Sequence, residues 1–212
     1  MKKRLQNPNC DVSEKKLDLP PANTLIPKSF DLLEKDEARS ARPILLKKWP
    51  DCTDLWYKKD DHFGKPKEMA SMQLYTNDCL FGQNPRARVF VHVWQKVLEE
   101  HLGEFTCMAA AAKLSFDVTL GLDSVNFKWS GYGDSVPGFV EQTLTRLCAM
   151  KDHDLAKAFA QVKEKLLLDW KNCYFEQSYQ QAIAAFGCMA VNLATEKKQM
   201  RKHLESFTYE DF

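Results

Sequence analysis

The chain has 212 residues, 44% of them hydrophobic, and a formal net charge of +1. That length suffices for one large domain with a buried core, and so even a charge balance gives no global field for nucleic acid or an anionic membrane. No apolar run approaches the roughly 20 residues that cross a bilayer, and the polar start lacks the apolar stretch of a signal peptide.

Residues 1–16 carry no hydrophobic period and read as a polar lead-in, with Lys2-Lys3-Arg4 and Lys15-Lys16 as solvated clusters. Residues 17–212 read as a single domain. Leu17 to Pro27 is expected to be extended, because Pro20, Pro21 and Pro27 exclude helix. Phe30 to Lys48 is mostly polar and closes on a short apolar strand, Ile44-Leu45-Leu46. Leu55-Trp56-Tyr57-Lys58-Lys59 reads as a strand and Asp60 to Gly64 as a turn. Glu68 to Thr76 is a second strand, with Met69, Ser71, Gln73 and Tyr75 on one face.

Pro85 to Tyr132 is the most strongly patterned stretch. From Val89, the residues Phe90, Val93, Trp94, Val97, Leu98 and Leu102 form a helical stripe, opposite Lys96, Glu99 and Glu100. A second helical piece, Glu104 to Lys113, follows without a clear break. The period then falls to two: Leu114, Phe116, Val118 and Leu120 alternate, Gly121 to Ser124 turns the chain, and Val125, Phe127 and Trp129 alternate again. This predicts a helix feeding a β-hairpin. Gly131-Tyr132-Gly133 and Pro137-Gly138 punctuate a loop. Three further helices are marked by Phe139, Val140, Thr143, Leu144 and Leu147; by Leu155, Phe159, Val162, Leu166 and Trp170; and by Tyr179, Ile183, Phe186, Ala190 and Leu193. Their aromatics read as core. Glu196 to Phe207 adds a short last helix. The expected fold is α+β in two layers, a largely antiparallel sheet with helices packed on one face.

Chemistry-bearing residues are sparse. His101-Leu102-Gly103-Glu104-Phe105 has the outline of the zinc motif H-x-x-E-H, with phenylalanine in place of the second histidine. Zinc needs both histidines one helical turn apart, with the glutamate as base for water, and phenylalanine ligates nothing. A self-standing peptidase would have to use His101, Glu104 and a distant group such as Glu176. Asp60, Asp61 and His62 are metal-binding types, but their adjacency reads as turn chemistry. The histidines His62, His92, His101, His153 and His203 are too scattered to define a triad. Seven cysteines, never in a C-x-x-C pair, read as reduced thiols of a cytoplasmic protein.

Three stretches carry a family resemblance. Leu17-Asp18-Leu19-Pro20-Pro21-Ala22-Asn23-Thr24-Leu25-Ile26-Pro27-Lys28-Ser29-Phe30-Asp31 and Leu55-Trp56-Tyr57-Lys58-Lys59-Asp60-Asp61-His62-Phe63-Gly64-Lys65-Pro66-Lys67 are the long ones. Ala111 to Asp117, with Gly131-Tyr132-Gly133-Asp134, is the third. Together they resemble the middle domain of the insulinase, or pitrilysin, family of zinc metallopeptidases, in its insulin-degrading-enzyme and nardilysin branch. The resemblance spans about residues 17 to 212.

It implies a metallohydrolase-like domain that forms part of the substrate chamber of a peptide-hydrolysing parent. It also implies zinc in the parent's catalytic domain and none in this segment, with no catalytic or metal residue to carry over. The implied partners are the catalytic N-terminal half of the same enzyme and the parent's peptide substrates; a homo-oligomer is left open, and neither nucleic acid nor membrane is a partner. The helix corresponding to the catalytic one is then Val89 to Leu98, where His92-Val93-Trp94-Gln95-Lys96 is no better as a zinc motif. The chain stops within what resembles a helical region, so an excised segment of a longer polypeptide is expected. The alternative is a free-standing interaction module, binding extended peptides along the sheet edge or the Trp56-Tyr57 strand.

Overall fold

A computed structural model describes residues 22–32, 42–50, 53–60, 62–76, 84–121, 123–172, 175–190 and 197–212. The expected lead-in and the stretch Leu17 to Pro21 lie outside the described residues, as do Asp61, Leu122, Leu193 and Glu196. Two strands come first, β1 (Ile44–Trp49) and β2 (Thr53–Tyr57), paired antiparallel as a separate two-stranded sheet. Then follow β3 (Lys67–Tyr75), helices α1 (Pro85–His101) and α2 (Gly103–Ala111), and the hairpin β4 (Ser115–Leu120) with β5 (Ser124–Tyr132). Four helices end the chain, α3 (Val136–Cys148), α4 (Asp152–Asn172), α5 (Ser178–Ala190) and α6 (Lys197–Ser206), before a 3-10 turn at Tyr209–Asp211.

The main sheet is antiparallel in the order β3-β5-β4. Its strands alternate as period two requires. On β5, Val125, Phe127 and Trp129 are buried; the Phe127 ring stacks on Trp129 and on Phe116 of β4, and Phe116 lies tilted against Trp129. On β3 the inward residues are Ala70 and Met72, so the expected set Met69, Ser71, Gln73 and Tyr75 is the outward face.

Helix α1 starts where its sequence says it should. The Asn84 side chain accepts from the Arg86 and Ala87 amides, and Pro85 sits in the first turn, where its missing N–H costs nothing. Its apolar residues were expected as one stripe, but they divide between two cores. Val91 and Leu98 face the sheet together with Phe105, Ala109, Val118, Phe127, Trp129 and Phe139. Val89, Val93 and Val97 face α4 and α6, against Phe159, Val162, Leu166, Met200 and Leu204. A helix apolar on two sides is one sandwiched between layers, and each fully buried valine or leucine stabilises it by about 1.5–3 kcal/mol.

Three expectations are corrected. Pro137-Gly138, read as loop, lies in the first turn of α3; proline at that position is preorganised for helix rather than opposed to it. The second helical piece, expected over Glu104 to Lys113 without a clear break before it, is a separate helix: Leu102 caps the end of α1 and the start of α2. The face of α5 read as core is exposed, as detailed below.

Candidate functional site

The two stretches closest to a zinc motif occupy well-defined places. His101 is the last residue of α1 and Glu104 lies in the first turn of α2, so the Leu102 break puts them on different helices. A metal site of this type needs one continuous helix to project its ligands from one face. Phe105 is buried in the sheet-side core, its ring 5.6 Å from that of Phe139, with the Arg146 guanidinium 4.4 Å from its centroid. Glu176 pairs instead with Lys197, at 2.8 Å.

On α1 itself, Gln95 and Lys96 stand three and four residues after His92. Gln95 Nε2 donates to Val118 O of β4 at 2.7 Å, and Lys96 pairs with Glu99. His92 is half-buried, edge-on to Trp170 of α4 with ring centroids 6.0 Å apart. Burial, and then the nearby charges of Arg88 and Lys96, pushes its pKa down to about 4, so the ring is neutral near pH 7. A cation four residues after the histidine and an amide already engaged by a strand carbonyl do not suit zinc. Among the described residues, no group of three or more histidine, cysteine, aspartate or glutamate side chains gathers anywhere.

The other expected polar cluster is a turn. Asp60 Oδ1 accepts from the amides of His62 at 3.0 Å and Phe63 at 3.2 Å, which holds its carboxyl below the usual range.

The long motifs behind the resemblance have a structural meaning. Asn23 Nδ2 donates to Met108 O of α2 at 2.7 Å, and Leu25 is buried in the sheet-side core. The Asp134 carboxylate accepts from the amides of Lys28 at 2.7 Å and Ser29 at 3.1 Å, and these bonds lower its pKa. The Phe30 ring meets Tyr132 edge-on at 5.0 Å. Residues 22–32 therefore strap the far end of the hairpin to α2 and α3. A cavity of about 200 Å³ lies under the strap, lined by Thr24, Leu25, Lys28, Asp134 and Gln142 among others; its one carboxylate is already satisfied. Gly131 is needed there, because a Cβ would stand 2.2 Å from Leu114 Cδ2 and 3.2 Å from Leu114 Cα.

The conspicuous feature is a surface. Helix α5 reads SYQQAIAAFGCMA and carries no charged residue. Along it Tyr179 (60%), Ile183 (66%), Phe186 (67%) and Met189 (75%) are exposed, at steps of four and three that make one helical stripe, and Phe175 (87%) is exposed just before it. Single exposed apolar residues are ordinary, whereas a contiguous uncharged stripe marks an interface. The β1–β2 hairpin is similar, with Ile44, Leu45, Leu46, Leu55, Trp56 and Tyr57 all exposed. No residue spacing would have identified either surface, since the pattern for a core helix and for a docked helix is the same.

A two-layer α+β domain, an antiparallel sheet with α1 packed between it and a second helical layer, is the class that the fold defines. Residues 1–203 match the family profile described as the middle or third domain of peptidase M16, and the chain belongs to that family. Among curated relatives, it is 28% identical to the peroxisomal insulin-degrading enzyme-like 1 of Arabidopsis thaliana over 90% of this chain and 19% of that protein. It is 24% identical to insulin-degrading enzyme of Homo sapiens over 94% of this chain and again 19% of the relative. A Schizosaccharomyces pombe relative is named a putative zinc protease. The crystal structure of pitrilysin superposes with a TM-score of 0.75 at 19% identity, covering 92% of this chain and 20% of that one. The chain thus spans about a fifth of the length of the relatives it matches.

Proposed function

We propose that this domain is the non-catalytic middle domain of an insulinase-type zinc metalloendopeptidase, walling a substrate chamber and docking against the catalytic half. The observation that carries the reading is α1. On the family resemblance α1 is the counterpart of the catalytic helix, and there Gln95 and Lys96, three and four residues after His92, are committed to a strand carbonyl and to Glu99. Zinc and the base that activates water would then belong to the partner half, and peptide substrates to the assembled enzyme. The uncharged stripe of α5 supports a permanent neighbour, because such a surface is costly to leave in water. Free thiols at Cys107, Cys148 and Cys188 fit a reducing compartment such as the cytoplasm. The test assays the purified chain on fluorogenic peptides with zinc, alone and mixed with the separately expressed catalytic half of an insulin-degrading enzyme. No hydrolysis by the chain alone is expected; chelator-sensitive cleavage by the chain alone would overturn the proposal.

A further inference from the structure

Helix α1 is bonded by its side chains to the outer edge of β4, which among the described residues is the last strand of the main sheet. The bond from Gly121 N to Ser124 O sets the phase of the β4–β5 pairing. Ser115, Asp117 and Thr119 therefore bond β5, and the backbone groups of Phe116, Val118 and Leu120 point away from it. Val118 O accepts from Gln95 Nε2 at 2.7 Å, and Gly121 O, just past the strand, accepts from Arg88 Nη1 at 2.8 Å.

The two contacts match in spacing and in direction. Arg88 and Gln95 are two helical turns apart, a rise of about 10.5 Å, and Val118 and Gly121 are separated by about 10 Å of extended chain. The earlier helix residue meets the later carbonyl, so α1 runs antiparallel to β4, as a neighbouring strand would. Gln95 is also held from its other side: Nε2 donates to Glu99 Oε1 at 2.9 Å, and Lys96 pairs with the same carboxylate. Both donors are half-buried and Val118 is buried. A bond of 2.7 Å puts the Gln95 amide nitrogen where the N–H of an added strand would have to stand.

We propose that Gln95 and Arg88 form an autoinhibitory contact that closes the β4 edge to strand addition by extended peptides. Edge strands are templates for pairing, and covering one with a helix is a way to silence it. Here the cover is specific, since both side chains are donors aimed at carbonyl groups of the edge. The outward N–H groups of Phe116, Val118 and Leu120 are those that an added strand would engage. The residues that follow His92 thus have a task of their own: Gln95 caps the edge and Lys96 steadies it through Glu99. An interaction module that bound peptides along the sheet would find this side closed.

Fluorescence anisotropy with a labelled, lysine-flanked peptide of alternating valine and threonine, together with amide exchange, tests this on the whole chain. The native chain should show no peptide-dependent protection at Phe116, Val118 or Leu120. Gln95→Glu keeps the side-chain shape but cannot donate to a carbonyl, and Arg88→Met keeps the stem without the guanidinium. The double variant should bind the peptide about tenfold more tightly or better, and protect those amides. Each single variant, folded by circular dichroism, should gain part of this and covers the case in which the double variant folds poorly. Peptide-dependent protection of these amides in the native chain overturns the proposal. So does a folded variant that takes up no peptide, or one whose protection appears on β3 instead, which would leave Gln95 and Arg88 as packing contacts alone.

Discussion

The half-buried imidazole of His92 makes acid stability a quantitative test of the packing between α1 and α4. In the unfolded chain the ring titrates near its ordinary value of 6.5, whereas in the folded domain burial holds it at about 4. The folded pKa is depressed, so the unfolded state takes up the proton first. Stability is therefore complete above about pH 6.5 and falls as the pH drops towards 4. The full span is worth about 3 kcal/mol at about 1.4 kcal/mol per pKa unit. At about pH 5 the proton linkage costs about 2 kcal/mol, and the ring's partial contact with solvent brings this to about 1–2 kcal/mol. Urea unfolding of the native chain and of His92→Leu, in parallel at about pH 7, 6 and 5, isolates this contribution, since carboxylates titrate alike in both. The native chain should lose about 1–2 kcal/mol relative to the variant between about pH 7 and pH 5. Parallel pH profiles would refute the claim that Trp170 and α4 keep this ring from water.

Three further substitutions probe the frame. Gly131→Ala drives a Cβ into Leu114 and should cost about 1–3 kcal/mol by overpacking, read as a lower urea midpoint with unchanged m-value. Lys113 sits at φ 60 between α2 and β4, so Lys113→Gly should stabilise the domain by about 0.5–1 kcal/mol; destabilisation would show that the lysine makes a compensating contact. Lys163 Nζ donates to Phe207 O at 2.6 Å and Glu205 O at 3.3 Å, holding the C-terminal end of α6. Lys163→Met should cost about 1 kcal/mol and speed proteolysis after α6, while equal cleavage rates would remove the clasp from the account.

The hairpin and the helices were legible because each has its own period: two from Leu114 to Trp129, near 3.6 from Leu155 to Trp170. Long-range pairing was not legible. β3 bonds β5, far along the chain, rather than its sequence neighbour β2, and only the assembled ladder decides which of its faces turns inward. Periodicity also merged two faces of α1 into one, because Val93 and Leu98 are equally apolar whether the neighbour is a sheet or a helix. Pro137 misled for a physical reason: proline breaks a helix interior but suits its first turn. The family motifs were visible as strings, yet the strap made by Asn23, Leu25 and Phe30 appears only when Met108, Tyr132 and Asp134 are brought beside them. The half-motif from His101 to Phe105 has the spacing of a zinc site in sequence but not in space, since a helix break at Leu102 intervenes.

Zinc stoichiometry tests the central claim most directly. The purified chain is stripped with a mild chelator, dialysed against zinc, and measured by elemental analysis. A ratio near zero is predicted, because on the proposed reading Gln95 and Lys96 stand where zinc ligation would need a glutamate and a histidine after His92. About one zinc per chain, lost on His101→Ala, would contradict the account and make this domain a metal site in its own right.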